Sequence, residues 1–183
     1  RHNDAVFQAA SLDLIMQRGS IIGHKIFALI QSPMMDRFLR EARAQENEWA
    51  NELISRISGI TGTEAPVTWE LNITEKDSPA MYAASRRRDR VQLWQLYRDP
   101  RNRDVTLDCI PLLCKRSERQ ILLPDDDTKI FPGDRILFCG QAHAHSRMEW
   151  LSGNDNVFNY IRTGEEHPSG YLWRLMTGKH HKA

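Results

Sequence analysis

CIPLLCKRSERQILLPDDDTKIFPGDRILFCG, residues 109–140, holds three apolar runs cut apart by turn signals. Short apolar runs bounded by such signals read as buried strands. CIPLLCKR ends on two cations, Ser117-Glu118-Arg119 turns the chain, and QILLP is a second short strand. After the acidic Asp125-Asp126-Asp127, Pro132-Gly133-Asp134 makes a turn into RILFCG, because Pro presets φ for a turn and Gly accepts positive φ. Together these runs predict a small antiparallel or mixed sheet.

Upstream, VTWELNITE alternates strictly, with Val67, Trp69, Leu71 and Ile73 on one side and Thr68, Glu70 and Asn72 on the other, so it reads as a half-buried strand. Ser78-Pro79 then opens a short helix, PAMYAASRR. DRVQLWQLYRD also alternates but is apolar on both sides, which predicts a strand covered on both faces. RDPRNRD reads as a polar loop. Earlier still, Ser32-Pro33 starts a helix whose stripe of Met34, Met35, Phe38, Trp49, Leu53 and Ile57 runs to the stop at Gly59 and Gly62. That helix of about 25 residues would be about 37 Å long, more than a small sheet can cover, so part of its stripe is expected on a second subunit. Leu12–Met16 reads as a buried strand and Ile21–Leu29 as a helix. Beyond Gly140 the pattern dissolves into a helix-prone stretch around Met148–Leu151, an SGNDN turn, and a tail whose Val157, Tyr160, Ile161, Tyr171, Leu172, Trp173, Leu175 and Met176 are apolar enough to dock on the body or on a partner. The fold class is therefore α+β, a small sheet with flanking helices preceded by a long helix.

Composition narrows the function classes. With 25 Lys+Arg against 24 Asp+Glu the formal charge is +1, and a chain that coats nucleic acid or an anionic membrane over its whole surface needs a broad positive field. No uncharged apolar run approaches the roughly 18–20 residues of a spanning helix, and the N-terminus has no signal-peptide core. Three cysteines, Cys109, Cys114 and Cys139, lack CxxC spacing and predict neither a disulfide framework nor a four-thiolate zinc site. No GxSxG, HExxH or P-loop occurs, so no enzyme is expected. The start at Arg1 rather than Met suggests a piece of a longer protein.

Arg86, Arg87, Arg88 and Arg90 are the densest cluster of one sign. Guanidinium groups grip phosphate oxygens bidentately, which makes an anion site one reading, and cations also suit a helix C-terminus, which makes a solvated helix end the other. Asp125, Asp126, Asp127 and Asp134 do not have the alternate spacing of a calcium loop and read as a surface turn. His143 with His145, and His180 with His181, make half a zinc site at most and read as a loop and a tail, so no metal is expected.

From Pro66 to Gly140 the order of features resembles the C-terminal TrkA-C subdomain of regulator-of-potassium-conductance proteins. The features are a strand ending in Arg (Ile110–Arg116), one ending in Leu-Pro (Ile121–Pro124), an acidic dip, then Pro132-Gly133-Asp134 and a hydrophobic strand ending in Gly140. DLIMQRGSIIGHKIFALIQSPMMDRFLREA (residues 13–42) is similar to the passage out of that family's Rossmann-like half. The family's GxGxxG is absent, and the segment RRRDRVQLWQLYRDPRNRDVTL is longer than its usual hairpin. The resemblance implies residues 1–62 as the end of the Rossmann-like half with dimerising helices, 63–141 as the regulatory domain and 142–183 as a docking tail. It further implies a cytoplasmic, ligand-sensing homodimer or higher homo-oligomer at the inner face of the membrane, coupled to a potassium pore and binding a nucleotide or cyclic dinucleotide. Whole-chain charge balance, rather than the resemblance, argues for no nucleic acid partner; it leaves local patches open, and binding through Arg86–Arg90 is the weakest reading. A ligand-free dimerisation scaffold is the alternative.

Overall fold

Alternation in VTWELN becomes β1 (Val67–Asn72) in the computed structural model, which describes residues 32–87 and 91–165. Leu12–Met16, Ile21–Leu29, Arg88, Arg90, the tail residues Tyr171, Leu172, Trp173, Leu175 and Met176, His180 and His181 lie outside the described residues. The chain divides into two compact units, Arg1–Ala44 and Gln45–Ala183. Helix α1 (Pro33–Arg43), capped by the Ser32 hydroxyl accepting from the Met35 N–H at 3.1 Å, belongs to the first and buries Met34 and Phe38. All later elements belong to the second.

The single long helix expected from Pro33 is in fact two, because α2 (Asn47–Thr61) begins anew after Glu46, whose backbone is extended. Between Leu39 and Trp49 the sequence REARAQENE offers little to bury, so nothing holds the stripe together there. Helix α2 then ends at Gly62, whose φ of 59° suits a residue without a side chain.

Four strands form one antiparallel sheet: β1, β4 (Cys109–Arg116), β5 (Arg119–Leu122) and β6 (Arg135–Gly140), in the order β1-β6-β4-β5. Pro111 has no N–H for the ladder, and β4 shifts register between Pro111 and Leu113 to accommodate it. The expected alternation holds: Trp69, Leu71 and Ile73 are buried on one face with Ile136 and Phe138, and Trp69 stacks on Phe138 at 5.8 Å. Ile110, Leu113, Leu137 and Cys139 lie on the opposite face, where α2 contacts β4 and β6.

On the Trp69 face sit α3 (Pro79–Arg86), α4 (Ala142–Gly153) and α5 (Asp155–Thr163), bringing Met81, Ala84, Ala144, Met148, Leu151, Phe158 and Ile161 into the core. The dissolving pattern beyond Gly140 is thus two core helices, which also places His143 and His145 on a helix rather than in a loop. The described part of DRVQLWQLYRD is not one continuous strand either. Leu93–Tyr97 forms a 3₁₀ turn, started by Gln92 and Gln95 exchanging backbone and side-chain hydrogen bonds, with Leu93, Gln95, Leu96 and Tyr97 buried and Trp94 half-buried. One compact turn satisfies the same two-sided apolarity that a doubly covered strand would. RDPRNRD, read as a loop, carries a short ribbon, β2 (Arg98–Asp99) with β3 (Asn102–Thr106). Among the described residues no helix is long and apolar enough to cross a membrane.

The Pro-Gly-Asp turn has a structural purpose that its sequence only hints at. Gly133 sits at φ 87°, and Asp134 N–H closes the turn on the Phe131 carbonyl at 3.1 Å. Two backbone bonds at 2.8 Å, Gly133 N–H to Ile73 and Ile73 N–H to Asp134, stitch it to the end of β1. The Asp134 carboxylate is fully buried and accepts from Phe131 N–H (2.9 Å), Arg116 Nε (2.9 Å) and Arg116 Nη2 (2.8 Å). The Arg at the end of one strand and the Asp before the next are therefore partners in one bidentate pair.

Candidate ligand-binding cleft

Thr74 and Asp77 close a turn after β1, with the Asp77 N–H donating to Thr74 Oγ1 at 3.0 Å, and this holds Glu75 outward beside the start of α3. Helix α3 begins at Pro79, whose missing N–H is harmless in a first turn. Pro79, Tyr82, Ala83 and Arg86 then recur at the spacing that puts them on one helix face. That face, with Glu75, Arg87 and Asp155, borders an open cleft of 480 Å³. The Arg86 guanidinium lies 5.7 Å from the centroid of the Tyr82 ring, a cation–π placement that steadies it. Arg87 closes the helix, its N–H reaching the Ala84 carbonyl at 3.2 Å, and both arginines are exposed where the helix dipole favours cations. Asp155 comes from the first turn of α5, after Asn154 caps that helix by accepting from Asn156 and Val157 N–H. Arg87 and Asp155 also border a second hollow of 210 Å³ between α3 and α5.

The structure thus brings Arg86 and Arg87 to one cleft. The arginine cluster was visible as a run of charge, whereas Tyr82, Glu75 and Asp155 were missed. Tyr82 could have been found from the i, i+3, i+4, i+7 stripe starting at Pro79; Glu75 and Asp155 are assembled only by the tertiary fold.

The remaining candidates go elsewhere. Asp126 accepts a short hydrogen bond from the Tyr97 hydroxyl, while Asp134 is engaged by Arg116, so these acids face different partners. Asp125, Asp126, Asp127 and Arg56 border another cleft of 580 Å³ at the start of β4. His143 Nε2 lies 3.1 Å from Asp108, and His145 stacks on Trp69 with ring centroids 5.0 Å apart. Among the described residues no group of three or more His, Cys, Asp or Glu is placed to hold a metal ion. Burial raises all three thiols, Cys114 to about 11, where the Asp134 charge adds to the effect and Arg116 opposes it. Thiols held that far up are protonated and poorly nucleophilic near neutral pH. Tyr97 is likewise raised, first by burial and then by its bond to Asp126.

The fold and the cleft define a small antiparallel α+β domain with an open cleft lined by charged residues. No family model and no curated protein matches the chain. Among solved structures, S. agalactiae BusR in complex with its busAB-promotor DNA is similar at 16% identity and a TM-score of 0.29, over 90% of this chain. The chain spans 60% of the length of that structure, and a likeness at this level carries neither fold nor function across. That neighbour is held with promoter DNA, and the expectation that nucleic acid is no partner is withdrawn. The physical flaw in that expectation is that a charge of +1 is a whole-chain sum, while phosphate contacts need only a local patch such as the exposed Arg86 and Arg87.

Proposed function

We propose that this chain is a ligand-sensing regulatory and dimerisation module of a bacterial potassium channel or uptake system, working at the inner face of the membrane. In this reading, the Arg86–Arg87 cleft takes an anionic group of the ligand. The observation that carries the ligand reading is two exposed guanidinium groups beside one 480 Å³ cleft, one of them steadied over Tyr82. The potassium setting is supported by the sequence resemblance around Pro132-Gly133-Asp134. Work is done by binding rather than bond-making: a ligand shifts subunit geometry only by its differential affinity for two arrangements.

Thermal unfolding of the chain with AMP or pyrophosphate, beside an R86Q/R87Q variant, tests the ligand reading. A ligand that binds only the native state raises Tm, and the variant should lose that rise. No rise in either protein would leave the ligand-free scaffold as the better account, and an equal rise in both would overturn the Arg86–Arg87 site.

A further inference from the structure

The cleft beside α3 carries charge of both signs. Arg86 and Arg87 lie at the C-terminal end of the helix, Glu75 lies before its first turn, and Asp155 enters from α5. Two cations and two anions cancel formally, so the lining carries no net charge and a plain anion is drawn to its arginine end alone. Among the described residues, Arg87, Glu75 and Asp155 make no ion pair or side-chain hydrogen bond, so these charges do not neutralise one another. Between the two ends, Tyr82 and Pro79 supply an apolar floor. From Pro79 to Arg86 the helix rises by about 10 Å at 1.5 Å per residue, which sets the distance between the anionic and cationic ends.

We propose that this cleft takes an elongated dipolar small molecule, net neutral, with a carboxylate or phosphate at the arginine end and an amine at the Glu75 end. The proposal rests on the reading of the cleft as a ligand site and adds the requirement for the amine. A matched ligand satisfies both ends at once, whereas a plain anion satisfies only the arginine end. Asp155 is shared with the hollow between α3 and α5, so an occupant of the cleft would also touch the contact between those two helices.

The test is an NMR titration of the whole chain with 8-aminooctanoate, octanoate and octylamine, following the amides of Tyr82 and Ala83. The three probes share one chain length and differ only in their charged ends. 8-Aminooctanoate should bind about five-fold more tightly than either single-ended probe, the gain expected of one further surface ion pair. In E75Q/D155N that advantage should vanish while octanoate binds at least as well as before; in R86Q/R87Q 8-aminooctanoate should fall to the level of octylamine. All four positions are exposed, and far-ultraviolet circular dichroism confirms that the variants fold. Octanoate binding as tightly as 8-aminooctanoate, with loss of both in R86Q/R87Q, would overturn the dipolar proposal and keep the anion site. If neither acid binds and AMP and pyrophosphate also fail, the anion site falls with it.

Discussion

Replacing Arg116 by Met is the sharpest test of why the chain carries an Arg before one turn and Pro-Gly-Asp before the next strand. Asp134 is fully buried, and Arg116 supplies two of its three hydrogen bonds, at 2.9 and 2.8 Å. In R116M the carboxylate keeps only the Phe131 N–H, and removing one partner of a buried pair costs about 3–5 kcal/mol because the remaining charge is stranded. The Arg116 side chain is 35% exposed, so water can reach part of the gap and the lower end, about 3 kcal/mol, applies. With a urea m-value of about 2 kcal/mol/M, the midpoint should fall by about 1.5 M. D134N should cost less, about 1–2 kcal/mol, because the Asn oxygen can still accept from Phe131 and the freed guanidinium can turn to water. Stacking of Arg116 over the Phe131 ring at 4.2 Å, and its bond to the Lys129 carbonyl, also remain in D134N. Urea unfolding followed by tryptophan fluorescence reads both. A midpoint shift below about 0.3 M in R116M, or a larger loss in D134N than in R116M, would refute the argument that the buried anion governs this turn.

Gly140→Ala should destabilise by about 1–3 kcal/mol, since a Cβ there would run into the Asp108 carbonyl and Cys109 across the β4–β6 pair; differential scanning calorimetry checks it, and an unchanged Tm counts against so close an approach. Stability should fall as pH rises above 9, because unfolded thiols ionise near 9.0 while Cys114 holds its proton to about 11, so the unfolded chain binds fewer protons in that window. Cys109, Cys139 and Tyr97, all raised by burial, act in the same sense, and urea midpoints at pH 7, 9 and 10.5 should show a flat stretch and then a drop that C114A lessens. Tyr97→Phe should cost about 1 kcal/mol, since the exposed Asp126 can replace the lost hydroxyl with water.

The strands were legible because their signals are local. Trp69, Leu71 and Ile73 alternate against Thr68, Glu70 and Asn72, and a Pro-Gly pair marks where β6 begins. The 3₁₀ turn at Leu93–Tyr97 was not, since an apolar run buried on all sides has no period to distinguish strand from turn. Helix α4 was nearly invisible for a different reason. Its buried positions, Ala144, Met148, Leu151 and Ser152, do keep helical spacing, but Ala and Ser contribute little hydrophobic contrast. The break between α1 and α2 was hidden by residues that are all good helix formers, so propensity said helix while the absence of anything to bury at Ala44–Glu46 decided otherwise. At the cleft, a run of arginines announces itself in one dimension. Glu75 and Asp155 are far apart in sequence and meet only because α5 packs on α3.

The order β1-β6-β4-β5 bears on how the chain is made. Strand β6, the last in sequence of the described strands, lies between β1 and β4, so Val67 meets its partner Gly140 only after β2 to β5 have left the ribosome. The β4–β5 hairpin can form early from neighbouring residues, but β1 must wait with its backbone unpaired, and pairings of such long sequence separation are slow to form. Nascent chains ending before Arg135 therefore expose two open strand edges to other proteins. The same arrangement makes β6 a natural seam: a fragment carrying residues 135–165, supplied separately, would offer both of its edges to the incomplete sheet.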